Sequence, residues 1–212
     1  MNRKFISNSN YVLRKVLNSK ENLDIIQDFI ESFLDIEIEE IILNPYLKSK
    51  EKYLPSEEKF GIVDVRIITK DMEELNVGIQ FIDGYFIENK MLLYYLQIHS
   101  NQLEYNDNRK FAKTVTINLL DFDFFKSNDY HQKIYINTEP DNSGMRERLE
   151  FHIIELPKFN RKNIININRE NAWMIYLCGN NKSLMNDIAK SNEKIRKLNN
   201  LLNKYWQEEI ME

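Results

Sequence analysis

KFGIVDVRIIT (59–69) and LNVGIQFI (75–82), joined by the polar KDMEE (70–74), carry the strongest β signal in the chain. Two β-rich runs around a short polar loop predict a hairpin. Side chains alternate along a strand, so Val63, Val65 and Ile67 share one face while Ile62, Asp64, Arg66 and Ile68 share the other. On the second strand Val77, Ile79 and Phe81 fall together, opposite Asn76, Gly78 and Gln80. A charged pair inside an apolar strand needs a reason, because an unpaired buried charge is costly. Either Asp64 and Arg66 form a structural pair, or this sheet face is open to water, or Asp64 belongs to a site. With the hairpin in register, Asp64 shares a face with Gly78 and Gln80.

Outward from the hairpin, a helix is predicted from about Ile87 to Tyr105, with Met91, Leu92, Tyr94, Tyr95, Leu96, Ile98, His99 and Leu103 giving it a broad apolar side. Strands are expected at 113–120, 132–137 and 149–156, the last stopped by Pro157. Upstream, 11–18 and 22–35 read as helices and 38–43 as a short strand. Downstream, 171–178 reads as a buried helix and 182–208 as an amphipathic helical region. The order implies an α/β domain with a mixed sheet and a helical C-terminal segment.

Composition narrows the class. The chain has 212 residues, enough for one ordinary domain plus an extension, and 42% hydrophobic with 29% charged residues is a globular balance. No run approaches the ~18 apolar residues of a membrane helix, and the N-terminus has no secretion-signal core. A cytoplasmic protein is the simplest expectation. Cys178 is the only cysteine, which excludes an internal disulfide and a cysteine-rich zinc site. The net charge of −4 argues against a protein that coats DNA non-specifically.

Six stretches, in order, resemble the PD-(D/E)XK nucleases, in the branch of the recombination-promoting or transposase-associated nucleases. They are LRKVL (13–17), ILNPYL (42–47), the hairpin, KMLLYYLQIHSNQL (90–103), VTINLLDFDFF (115–125) and FHIIELPKF (151–159). The resemblance covers roughly residues 10–180. It implies a restriction-endonuclease-like core, with residues 1–160 as the nuclease-like domain and 161–212 as a helical extension. It also implies a DNA endonuclease that uses Mg2+ or Mn2+, with a homodimer or a related nuclease subunit as the candidate assembly.

The same resemblance assigns site residues. Asp64 and the Ile79 backbone carbonyl would be metal ligands, and Gln80 would hydrogen-bond the attacking water. Position 78, where the family has a catalytic Glu, is Gly. Catalysis is therefore expected to be impaired, the alternative being a non-catalytic member that binds DNA or another protein. A Glu restored at position 78 would project to the side of Asp64 and Gln80 and is expected to restore or strongly raise cleavage. The glycine is degenerate, or compensated by an acid such as Glu58, Glu73 or Glu74, or an inactivating change, or else a bulge glycine with no chemical role. Glu31 and Lys90 are additional candidates, the first as an extra acid and the second as either a solvated lysine or a phosphate contact. His99 is expected to be a core histidine, and Tyr94 and Tyr95 packing residues, one of which could face the cleft. Lys190, Lys194, Arg196, Lys197 and Lys204 form either a DNA-facing set or a solvated helix face. Glu155 and Lys158 fit the family stretch with no assigned chemistry.

Overall fold

The structure is a computed structural model that describes residues 13, 16–43, 63–82, 86–102, 112–135, 149–179 and 181–210. In chain order the elements are a 3-10 turn (Lys20–Asn22), α1 (Leu23–Leu34), β1 (Ile38–Leu43), β2 (Val63–Thr69), β3 (Glu74–Ile82), α2 (Ile87–Asn101), β4 (Lys113–Leu120), β5 (His131–Tyr135), β6 (Leu149–Glu155), α3 (Leu156–Asn160), α4 (Arg169–Cys178), α5 (Lys182–Ser191) and α6 (Glu193–Ile210). Two compact units result, one of Ile38–Glu155 and one of Met1–Glu37 with Leu156–Glu212.

The first unit holds a six-stranded sheet in the order β1-β2-β3-β4-β6-β5. β1, β2 and β3 run antiparallel, β3, β4 and β6 run parallel, and β5 returns antiparallel to β6. The parallel step from β3 to β4 needs a crossover, and α2 supplies it, packing on both strands. One face of the central strands is apolar: Val63, Val65, Ile67, Val77, Ile79, Val115 and Ile117 are all buried. The opposite face is also buried but holds Asp64, Asn76, Gln80, Thr114, Thr116 and Asn118. This is the α/β, restriction-endonuclease-like architecture expected, with a mixed sheet and C-terminal helices.

In the second unit, Ile25, Ile26, Phe29, Ile30 and Phe33 form the buried stripe of α1. Phe29 meets Trp173 of α4 edge to face, with ring centroids 5.3 Å apart. The Trp173 indole donates to Asp28 (2.8 Å), and Arg169 binds both Asp28 (2.8 Å) and Glu31 (3.0 Å). Lys194 and Lys197 of α6 clasp Asp24 of α1 at 2.9 and 2.7 Å. The predicted helical region 182–208 is two helices. Asn192 interrupts it in an extended conformation, and its side chain accepts from the backbone of Lys194 and Ile195, capping α6. Of the predicted helix at 11–18, residues 11, 12, 14 and 15 lie outside those described, as do 59–62, 103–105, 136–137 and the ILNPYL turn from Asn44 on. Pro157 ends β6 by opening α3, where its missing N–H costs nothing.

Candidate active site under helix α2

The antiparallel register of β2 and β3 sets Asp64 directly across from Gly78. The parallel register of β3 and β4 continues the row to Thr116 and sets Gln80 beside Asn118. Asp64, Gly78 and Gln80 therefore share the sheet face that α2 covers, and the Ile79 carbonyl lies in the same strand segment. Asp64 and Gln80 are each 1% exposed, so both are removed from bulk water.

Helix α2 fills the space over this row. Tyr94 is fully buried, and its hydroxyl donates to Asp64 Oδ1. The Tyr94 hydroxyl oxygen also lies 3.2 Å from the Val63 carbonyl and 3.3 Å from the Ile79 carbonyl. A Cβ built on Gly78 would stand 2.2 Å from Ile98 Cδ1, 2.7 Å from Tyr94 Oη and 2.9 Å from Tyr94 Cε1. The close approach of helix to sheet thus requires a residue without a side chain at position 78. Any larger residue there, Glu included, must displace the Tyr94 ring.

Gln80 is committed to a polar ladder. Its Nε2 donates to Asn118 Oδ1 (2.5 Å), and Asn118 Nδ2 donates to Thr116 Oγ1 (3.1 Å) and the His152 carbonyl (3.0 Å). The ladder satisfies amides that would otherwise be costly to bury. Thr116 and Asn118 were not singled out from the sequence, although their alternation in VTINLL is the signal that places them beside Gly78 and Gln80.

The other candidates are distributed elsewhere. Lys90 is half-buried one turn before Tyr94, on the stripe of α2 that reaches Asp64. Glu31 belongs to the helical unit, where Arg169 and Gln27 hold its carboxylate. Glu74 binds Arg66 at 2.6 Å and lies four residues from Gly78, about 13 Å along the strand. That distance prevents it from replacing a carboxylate at position 78. Glu73 sits at the turn, its backbone bonded to Thr69, and Glu58 lies outside the described residues. His99 packs against Tyr95 and bonds Thr114 (3.1 Å). Glu155 accepts from the Phe124 backbone (2.6 Å), a loop-holding contact. Of the basic set, Lys194 and Lys197 are engaged by Asp24, and Lys190 by Asp187.

A second polar cluster lies on the opposite face of the sheet. Pairing of β5 with β6 brings His131 within 2.8 Å of His152, whose other nitrogen meets Glu150 at 2.5 Å. Lys113 completes the group with a 2.8 Å bridge to Glu150. Burial alone would raise the Glu150 pKa, but His152 and Lys113 outweigh it and hold the group down at about 2. Burial drives His152 below its usual value. The histidines are 21 positions apart in sequence, and only the strand register reveals the contact.

These donor atoms do not suit a divalent cation as they stand. Magnesium needs near-octahedral oxygen ligands at about 2.0–2.1 Å. The row offers one carboxylate, and the Tyr94 hydroxyl stands beside both that carboxylate and the Ile79 carbonyl. Among the described residues, no three His, Cys, Asp or Glu side chains group to hold a metal ion. Also among them, no helix is long and apolar enough to cross a membrane.

No curated protein and no solved structure matches the chain. Comparison with protein families matches residues 8–211 to the PD-(D/E)XK nuclease family transposase, and with nearly its whole length matched the chain belongs to that nuclease family.

Proposed function

We propose that the chain is a DNA endonuclease of the recombination-promoting, transposase-associated type whose catalysis is impaired. One observation carries this reading: Asp64 is paired directly with a glycine, where the family places a second carboxylate. Asp64 and the Ile79 carbonyl are the groups that would face Mg2+ or Mn2+, and one acid among donors that do not suit the ion leaves at most weak binding. On this reading Asp64 and Gln80 are the remaining members of the hydrolytic row, and Lys90, one turn before Tyr94, is the candidate phosphate contact. Glu31 is left out of this assignment because Arg169 already occupies its carboxylate. DNA is the expected partner and the cytoplasm the expected location.

A second reading is a non-catalytic member that binds DNA or pairs with a second copy or a related nuclease subunit. It draws on Leu92, Leu93 and Leu96, which α2 leaves about half exposed.

Supercoiled plasmid incubated with the protein and Mg2+ or Mn2+, beside a mobility-shift assay, tests the proposal. A DNA shift with little or no nicking is expected. Robust nicking abolished by Asp64→Ala would overturn the impairment. Absence of any shift would favour the protein-binding reading.

A further inference from the structure

We infer that Tyr94 plugs the position where a cation would bind, so that a carboxylate restored at position 78 is not sufficient to recover metal binding. The inference rests on the assignment of Asp64 and the Ile79 carbonyl as the metal-facing groups. Both approach one atom, the Tyr94 hydroxyl oxygen, which also lies 3.2 Å from the Val63 carbonyl. A hydroxyl has one hydrogen, and the carboxylate takes it as the strongest acceptor. The phenol therefore answers the negative charge of Asp64 with a donated hydrogen bond, the task a cation would otherwise perform.

The space argument is independent of the hydrogen bonds. The locus of a Cβ at position 78 lies within 3.0 Å of both Tyr94 and Ile98. Ile98 meets it through Cδ1, the end of a flexible side chain that can turn away. Tyr94 meets it through a rigid ring on a buried helix face and has no equivalent escape. Gly78 and Tyr94 are thus complementary: the missing side chain of one is the room for the other. Loss of the carboxylate and entry of the phenol are two halves of one rearrangement.

The experiment compares Gly78→Glu with the Gly78→Glu, Tyr94→Ala pair, reading melting temperature with and without magnesium or manganese. A ligand that binds only the folded state raises the melting temperature by mass action. Gly78→Glu alone is expected to melt below the parent and to show no cation-dependent rise. The pair is expected to rise by several degrees with the ion. An equal rise in Gly78→Glu alone would overturn the plug while leaving the site assignment standing. No rise in either folded variant would overturn the site assignment and the plug with it. Should the Glu variants fail to fold, Gly78→Ala measured in the parent and in Tyr94→Ala reads the same competition by denaturant. The plug requires Gly78→Ala to cost less stability when Tyr94 is Ala. Equal costs would refute it.

Discussion

The hydroxyl of Tyr94 donates to Oδ1 of Asp64, latching the crossover helix α2 to the strand that precedes it by two elements. The acceptor is a carboxylate 1% exposed to solvent, so little water is at hand to replace the bond. Hydrogen bonds to charged groups contribute about 1.5–3 kcal/mol, more than neutral ones.

Tyr94→Phe should therefore destabilise the protein by about 1.5–3 kcal/mol, since the ring and its packing are kept and only the donor is lost. In an Asp64→Asn background the same change should cost less, because the acceptor no longer carries charge. Urea denaturation of the four proteins in this double-mutant cycle measures the coupling. Additive effects would show that the charge of Asp64 adds nothing to the bond.

The hairpin was legible because β-branched runs flank a polar loop, and strand alternation sufficed to place Asp64, Gly78 and Gln80 on one face. The boundaries of β4 follow the KTVTINLL run at both ends. What alternation cannot give is which helix residue crosses to meet that face. Tyr94 and Tyr95 are adjacent and equally apolar in pattern, yet Tyr94 reaches Asp64 while Tyr95 lies against His99 and Phe151. A rotation of 100° per residue along a helix separates them, and only packing fixes its origin. The contact of His131 with His152 escaped for a related reason, since it depends on the register of β5 against β6. The break at Asn192 was written in the sequence as a capping residue, but continuous amphipathic spacing on both sides hid it.

In the helical unit, Asp28 receives both the Trp173 indole N–H and the Arg169 guanidinium. The two bonds should differ sharply in worth. Arg169 is about half exposed, and such ion pairs contribute roughly 0–1 kcal/mol. Trp173 is 2% exposed, and a buried donor left without its acceptor costs about 1–3 kcal/mol. Arg169→Ala should thus be nearly neutral and Asp28→Ala clearly destabilising, by the same denaturation measurement. Equal losses would contradict the assignment of the main role to the indole.

Acid sensitivity should centre on Glu150 and His152. Glu150 faces His152 on its own strand, Lys113 from β4 and Tyr135 from β5, while His131 and Lys133 of β5 adjoin His152. With Glu150 ionised, the His152 Nε2–H donates to it, and neutral His152 then accepts from the His131 Nε2–H through Nδ1. The Glu150 pKa falls from 4.5 to about 2 in the folded protein: burial opposes the shift, and the bonds from His152 and Lys113 overcome it. A depressed carboxylate contributes stability that is present above its unfolded pKa and lost as pH falls through its folded one. The His152 pKa lies below 6.5, mainly through burial. Below pH 6.5 the unfolded chain binds the histidine's proton more readily than the folded one, so stability again declines on acidification. Both effects have the same sign. Stability should begin to fall near pH 6.5 and fall further between about pH 4.5 and 2. Glu150→Gln should lower stability at pH 7 and flatten the decline below pH 4.5. Denaturant midpoints measured from pH 8 to 3 test this, and a Glu150→Gln profile parallel to that of the parent would show that the carboxylate is not the acid-sensitive group.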